Sequence, residues 1–390
     1  MRTLGIGAAG LGRAFSLMAP AFAADPRVRL VAAADPRPEA LRRFRDDFAG
    51  TTYAAVEALC ADPQVEVVYV ATPHQSHAEH ACLAASRGKH VLVEKPMALD
   101  PGECRAMIDA ARRAGVRLIV GPSHGFDRPI LETRRLIGSG ELGRVRMITA
   151  VNFTDWLYRP RRPEELDTAR GGGAVFNQAA HQVDVVRMLA GSRAVGVRAS
   201  TGAWDASRPT EGAYSCLIAF ADGAFATLVY SGYAHFDSDE LMGWIGESGR
   251  RKDPAAYGAA RKALAATDER SAQAARGYGG SGPAAPAKAG HHEHFGPLIV
   301  SCERGDLRPL PDRVEIYGDE VRRTVALPPA GIPRVEVIDE LYAAVVHGKP
   351  PFHDGEWGAA TLEICLAILR SSREAKEIPL SKPQASGSPT

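Results

Sequence analysis

A short apolar run, His90-Val91-Leu92-Val93, ends in Glu94-Lys95-Pro96, so a buried strand delivers a carboxylate and an amine to its own C-terminal end. In open α/β sheets that edge collects ligands, because the strands stop there and helix N-termini converge. A lysine closing a strand is ordinarily a solvated charge, and a second chemical group is needed to make Lys95 more than that. One lies at His181, inside a helix predicted over Ala174 to Leu189 behind Gly171-Gly172-Gly173, three glycines that let backbone approach a ligand closely. At 3.6 residues per turn Asn177, His181, Asp184 and Met188 fall along one side. His181 is then either an acid or base facing Lys95 or a core histidine satisfied by Asp184 and Asn177. Near its reference pKa of about 6.5 it can accept a proton at neutral pH.

The opening turn, Gly5-Ile6-Gly7-Ala8-Ala9-Gly10-Leu11-Gly12, admits two registers of a Gly-x-Gly-x-x-Gly fingerprint. Gly5 lies within the first strand, so Gly7, Ala9 and Gly12 are taken as the three positions, with Gly10 and Leu11 between them. The match follows a strand and precedes a helix, and Asp35 closes the second strand 23 residues after Gly12. That context predicts a dinucleotide site. A carboxylate accepts hydrogen bonds from a free ribose 2'-hydroxyl and repels a 2'-phosphate, so Asp35 favours NAD over NADP. Arg37, two residues on, is placed to pair with such a phosphate.

Tyr158-Arg159-Pro160-Arg161-Arg162-Pro163 brings three guanidinium groups within four residues. Planar guanidinium suits a carboxylate, so Arg159 and Arg162, more than Arg161, are expected to read an anionic substrate; the alternative is a loop pairing with Glu164, Glu165 and Asp167. His291, His292 and His294 have a spacing that could attract a metal. With no cysteine nearby and no carboxylate except Glu293, no metal is expected there.

The elements that must position these groups follow from periodicity. Strands at Leu4 to Ile6, Leu30 to Ala34, Val65 to Ala71, His90 to Val93 and Val116 to Val120 alternate with helical patterns, which is an α/β parallel sheet with helical crossovers. Asp100, Pro101 and Glu103 mark a capped helix running to about Ala114. After a helix at about Ile130 to Ile137 the period changes to strand, at Val145 to Phe153, Val195 to Thr201, Tyr214 to Phe220, Ala224 to Tyr230, Leu241 to Ile245, Val314 to Tyr317 and Val321 to Leu327. Asp222-Gly223 and Gly318-Asp319 are hairpin signals. The reading is a dinucleotide-binding domain over 1–124, a second α/β domain over 125–350, and a C-terminal helix, about Trp357 to Lys376, packing near the first domain within 351–390. An insertion at about 246–290 has an Ala-rich helical pattern at Pro254 to Arg276, then Gly277 to Gly290, which has little to bury and is expected to be mobile.

Bulk properties exclude several classes. The 390 residues, 45% hydrophobic and 24% charged, carry a formal net charge of +1 with the basic residues dispersed, which argues against nucleic-acid binding. Six cysteines without a Cys-x-x-Cys pair read as reduced thiols. No membrane-length apolar run and no basic and apolar leader are present, so a cytoplasmic protein is expected.

With Lys95 in place the chain resembles the Gfo/Idh/MocA oxidoreductases. The elements are the glycine turn, Ala71-Thr72-Pro73-His74-Gln75-Ser76-His77, Glu94-Lys95-Pro96, and Gly171 to Gly173 leading to His181 and Asp184. The resemblance implies that Thr72, Pro73, Glu94 and Lys95 lie along the cofactor with Lys95 beside the nicotinamide. His77 is either a cofactor contact or a packed residue at a helix start. It implies also an N-terminal Rossmann parallel sheet, a C-terminal domain with a large open, mostly antiparallel sheet, and a homodimer or homotetramer through that sheet. Many relatives carry Asp where Asn177 stands, and sugar-active ones often an arginine near Gly125, so His124 is placed near a different substrate. The Arg159 loop and Tyr230 to Ser238 resemble the phthalate 4,5-cis-dihydrodiol dehydrogenase branch. That implies NAD-dependent oxidation of an anionic small molecule, with Lys95 and His181 catalytic and Arg159, Arg162, Asn177, His181 and His124 at the substrate. Sugar or inositol oxidation, an NAD-dependent glycosidase and a non-catalytic NAD-binding regulator are the alternatives.

Overall fold

The computed structural model describes residues 2–282 and 289–381. The first part alternates strands β1 (Leu4–Ala9), β2 (Val28–Ala34), β3 (Thr51–Tyr53), β4 (Val67–Val70), β5 (His90–Val93) and β6 (Leu118–Val120) with helices α1 (Arg13–Ala24), α2 (Pro38–Phe48), α3 (Val56–Ala61), α4 (His77–Ser86) and α5 (Pro101–Ala114). The strands are parallel in the order β3-β2-β1-β4-β5-β6. Being covered on both faces, they are apolar nearly throughout, as such sheets require. Asp100 caps α5 through Gly102 and Glu103 N–H, and Gly115 ends it with φ +64°.

Helix α6 (Arg128–Gly138) leads to β7 (Val145–Phe153), then α7 (Ala180–Ala190), β8 (Ala194–Gly202), β9 (Ala213–Phe220) and β10 (Phe225–Ser231). Two short helices follow, α8 (Ala259–Ala265) and α9 (Glu269–Ala275), then β11 (Leu298–Cys302), β12 (Gly305–Leu310), β13 (Arg313–Gly318), β14 (Arg322–Ala326), α10 (Val335–Val346), α11 (Gly355–Glu374) and β15 (Ile378–Pro379). The second sheet runs β14-β13-β12-β11-β7-β10-β9-β8-β15. Only its β7–β10 pair is parallel. Asp222-Gly223 turns β9 into β10, with Gly223 at φ +88°, and Gly318 closes onto Val321 between β13 and β14.

Several expectations are corrected. Leu241 to Ile245 is not a strand: Asp237 caps a 3₁₀ turn over Ser238–Met242 and Gly243 ends it at φ +69°. The helical pattern at Pro254 to Arg276 is two helices, because Asp268 starts a second one by accepting from Ser271 N–H. Residues 277–282 are not bare loop. Tyr278 packs edge-on against Phe15 with ring centroids 4.9 Å apart, and its hydroxyl donates to Asp47 at 2.6 Å. Residues 283–288 of the segment expected to be mobile lie outside the described residues. Helix α10, inside the stretch read as the second domain, packs on the first: Val337, Ile338 and Leu341 share a core with Leu4, Phe15 and Phe22. The last helix starts two residues earlier than expected, capped by Asp354, and contacts α5 and β6 of the first domain as well as α7 and β8.

Candidate active site

The C-terminal ends of β1, β2, β4, β5 and β6 open into one cleft of about 1040 Å³, whose other wall comes from the Trp156–Glu165 loop, α7 and residues 246–252, 273–277 and 293–295. It holds Gly10, Gly12, Asp35, Arg37, Thr72, Pro73, His77, Glu94, Lys95, His124, Arg159, Arg162, Asn177 and His181 together. Gly7, Ala9 and Leu11 are placed behind it. Gly7 lies within β1, where an added Cβ would meet Val65 and Leu59 at 2.9 to 3.0 Å, so it serves packing of α3 on the strand. Gly10 makes the turn itself: its φ is +90° and a Cβ would fall 2.8 Å from Ala71 O, at the switch between β1 and β4 where doubly wound sheets bind ligands. Asp35 accepts from Leu11 N–H at 2.7 Å and pairs with Arg37 at 2.9 Å, which fixes the acid at the rim of the turn. The turn, the acid and the room beside them fit a dinucleotide.

Lys95 donates to the backbone carbonyl of Asn177 at 2.8 Å, joining β5 to the segment that carries His181. Burial, opposed by Glu94 and assisted by Arg334 and Arg161, lowers its ammonium to about 8. Glu94 is buried and accepts from Tyr69 hydroxyl; burial raises it, while Arg334, Tyr69 and Lys95 hold it back. His77, at the start of α4, is buried with its ring nitrogens 2.9 Å from Pro96 O and 3.0 Å from Thr72 O. Burial lowers it to about 4, so it stays neutral and fixes the two loops that bear Thr72 and Lys95. Thr72 Oγ1 lies 3.1 Å from His80 Nδ1.

The helix carrying His181 begins as a wide π turn, Val175–Ala179, before α7. That turn shifts Asn177 from the 3.6-residue spacing assumed from sequence, whereas His181, Asp184 and Met188 lie in the regular α7. Asn177 turns its amide to Gly173 O at 2.9 Å. Asp184 accepts from Gly125 N–H and Trp357 Nε1, away from His181. The glycines before the turn make room for protein rather than ligand: a Cβ on Gly173, at φ +84°, would overlap the buried Glu211 carboxylate, which accepts from Val175 N–H at 3.0 Å. His181 meets Ser123 Oγ at 3.4 Å and the rings of His124 and Phe295 at 4.7 and 5.0 Å between centroids. Burial, then Lys95, His124 and Arg334, push it well below its ordinary value. His124 is different. Burial works against its charge, but Asp127 at 2.6 Å, with Glu293 and Glu247, leaves it above the ordinary value.

Sequence reasoning missed Asp127 and Ser123; a His-x-x-Asp spacing was the available signal for the first. It also missed Arg13, Arg250, Arg276 and Arg334 in the cleft, which are scattered along the chain and share no motif. Conversely, the arginines it selected are already engaged. Arg159 pairs with Asp155 at 2.7 Å and Glu247 at 3.1 Å, Arg161 lies over Trp156 and pairs with Glu165, and Arg162 pairs with Glu164 and Glu165. The local excess of positive charge expected there is therefore neutralised within the fold. His294 donates to Ile245 O and accepts from Gly296 N–H, and His292 contacts Pro328 O. Among the described residues no group of three or more His, Cys, Asp or Glu could hold a metal, and no helix is long and apolar enough to cross a membrane.

Comparison with known proteins agrees with this geometry. The family model described as an oxidoreductase family with an NAD-binding Rossmann fold matches residues 4–122, and that of the GFO/IDH/MocA C-terminal domain matches residues 130–251. The chain is 48% identical over 375 residues, 94% of each protein, to 1-carboxy-3-chloro-3,4-dihydroxycyclohexa-1,5-diene dehydrogenase of Comamonas testosteroni. A solved structure from Bordetella bronchiseptica RB50 is 41% identical with a TM-score of 0.92, covering 97% of this chain and 100% of that one. The WlbA dehydrogenase of Bordetella pertussis, in complex with NADH and UDP-GlcNAcA, shares the fold at 23% identity and a TM-score of 0.69, over 98% and 100% of the two chains. The chain thus belongs to the Gfo/Idh/MocA oxidoreductase family and is an NAD-dependent oxidoreductase.

Proposed function

We propose that the substrate is an anionic cis-dihydrodiol, oxidised to a catechol, in a cleft where Lys95 and His181 meet. The observation that carries the assignment of roles is the bond from Lys95 to the carbonyl of Asn177, which seats an ammonium at the end of β5 next to the segment that presents the neutral imidazole of His181. Bound NAD supplies the hydride acceptor. Lys95 donates a hydrogen bond to the substrate hydroxyl and stabilises the negative charge that develops on its oxygen. His181 takes the hydroxyl proton, and His124, held by Asp127, is the adjacent ring on which a proton rests more readily. Oxidation of a cis-dihydrodiol leaves a ketone that tautomerises to the aromatic catechol, which draws the reaction forward.

Two observations support the anion. Eleven cationic and seven acidic side chains line the cleft, an excess of four in a chain whose net charge is +1, more than the two phosphates of a dinucleotide require. The Comamonas testosteroni relative is named for a carboxylated dihydroxycyclohexadiene. The test is incubation of the purified protein with NAD and a panel of carboxylated cis-dihydrodiols, their uncharged counterparts, polyols and aryl glycosides. NADH formation with catechol release, fastest on the carboxylated diols, is expected. Preference for polyols, or glycoside cleavage without net NADH, would overturn the substrate class.

The outer face of the second sheet supports self-association. Leu217, Thr227, Thr149 and Ile299 line up across β9, β10, β7 and β11, beside the neighbours Phe225 and Met147, and the four large apolar residues of this face are exposed. Such a face is expected to be covered by a second copy in a homodimer or homotetramer. Light scattering that finds a monomer at micromolar concentration would exclude this.

A further inference from the structure

The family models end at residue 251, and the inserted segment beyond it crosses back to the dinucleotide-binding domain. We propose that this segment lies over the pyrophosphate of the bound dinucleotide, with Arg276 and, just before the segment, Arg250 facing Arg13 across the phosphates and Tyr278 pinning the strap to the glycine turn.

The anchoring is visible on both sides of Arg276. Its carbonyl accepts from Ser16 in the first turns of α1, at the limit of 3.5 Å, and the next residue but one, Tyr278, donates its N–H to Leu11 O at 3.2 Å. Tyr278 then buries its ring against Phe15 and Phe48 and hydrogen-bonds Asp47. Gly277 lies against the guanidinium of Arg37, where a Cβ would approach it to 3.2 Å. The strap therefore touches the turn, α1 and α2, the three elements that frame a dinucleotide in a Rossmann domain.

The charges gathered around it lack counter-ions. Among the described residues Arg13, Arg250 and Arg276 make no ion pair with a carboxylate, although all three line the cleft beside the glycine turn. Arg276 is held in place through Pro160 O. Burial and the neighbouring Arg159 and Arg13 lower its charge affinity to about 10, and Arg13 is lowered by burial together with Arg334, Arg159 and Arg250. Like charges gathered around an open cleft repel, and a group with two adjacent phosphate charges relieves that repulsion at the point where the helix N-terminus also favours an anion. The substrate carboxylate is the other anion available, and the experiment separates them.

The full-length protein, wild type and with Arg276→Gln, Arg250→Gln, Arg276→Lys or Tyr278→Phe, is titrated by calorimetry with NADH, ADP-ribose and adenosine, and the apoproteins are melted to compare folding. Arg276→Gln and Arg250→Gln should each weaken NADH and ADP-ribose by about tenfold, the lower end for a charged hydrogen bond at a partly exposed site. Adenosine binding and the apoprotein melting temperature should stay within error of wild type, and Arg276→Lys should recover part of the loss. Tyr278→Phe, which keeps the ring and loses only the Asp47 contact, should speed NADH dissociation in stopped flow. Unchanged NADH affinity in the double variant Arg276→Gln/Arg250→Gln overturns the proposal. So does a loss confined to the KM of a carboxylated diol, which would assign these guanidinium groups to the substrate.

Discussion

Lys95→Met should remove most turnover and leave the apoprotein about as stable as the parent. In the unfolded chain this lysine keeps its proton up to its ordinary value of 10.5, whereas in the fold burial lowers it to about 8. Between those two values the unfolded state binds more protons, so stability rises with pH across that window; below about 8 both states are protonated and the fold carries the whole cost. At about 1.4 kcal/mol per tenfold change in proton affinity the cost is about 3 kcal/mol, reduced to about 2 kcal/mol because the side chain is only partly covered. Methionine relieves it while keeping an apolar stem of similar length. Against that gain, Asn177 O loses its donor, which costs about 1–3 kcal/mol for a buried carbonyl. The two effects nearly cancel. Turnover does not benefit from any such cancellation: losing a positioned donor to a developing alkoxide costs about 100- to 1000-fold in kcat. The assay is steady-state kcat and kcat/KM against pH, with NADH affinity and urea unfolding measured on the same samples. As the ammonium is the active form, wild-type kcat/KM should fall as pH rises through about 8. A profile that rises there would make the amine a base, and wild-type turnover in Lys95→Met would refute the assignment outright.

Asp127→Asn should remove the charge that holds His124 above its ordinary value. A raised histidine stabilises the fold fully below about 6.5 and loses that contribution as pH rises through the folded value, so the variant should lose melting temperature at about pH 5.5 and little at about pH 8.5; equal losses at both would dissociate Asp127 from the titration. Gly173→Ala should destabilise by about 2–4 kcal/mol, the sum of a strained left-handed residue and a displaced Glu211 that no longer meets Val175 N–H; a denaturant midpoint within error of the parent would contradict the packing described. Arg159→Ala leaves Asp155 and Glu247 without their shared partner. It should lower catalytic efficiency equally on carboxylated and uncharged diols, and a loss confined to the carboxylated diol would return Arg159 to the role first expected of it.

What the sequence made legible was the part governed by local rules. The buried parallel strands, the turn after β1, Asp35 at the end of β2 and Lys95 at the end of β5 all follow from apolar runs and the residues that interrupt them. So does the Asp222-Gly223 hairpin. The strands β3, β11, β12 and β15 were not legible: β3 and β15 have three and two residues, and β12 contains Pro309 and Arg308, which local propensity assigns to loops. The offset of Asn177 from His181 was misjudged for one reason: the periodicity argument assumed an α-helix from its first residue, and the chain opens it with a π turn. The arginine loop was legible only in part, its pairing with Glu164 and Glu165 being the alternative that the sequence offered. Spacing reveals charge density but not the carboxylates that tertiary structure brings to it, and Glu247 arrives from 88 residues away. Tyr278 shows the converse, one aromatic in a Gly-rich stretch being enough to dock it.

The packing of α10 on the first sheet bears on how the chain is made. Val337, Ile338, Leu341 and Tyr342 cover Leu4, Phe15 and Phe22, and Tyr342 hydroxyl donates to Arg2 O at 2.9 Å. During synthesis the six parallel strands emerge first with α1 and α2 on this face, yet the apolar surface beside α1 that α10 covers stays bare until more than two hundred further residues have been translated. Each such large apolar side chain is worth about 1.5–3 kcal/mol on burial, so the nascent N-terminal half is sticky and incompletely stabilised for most of elongation. A ribosome-stalled chain ending after β6 should therefore recruit a chaperone that binds exposed apolar segments, and one extended through α10 should release it.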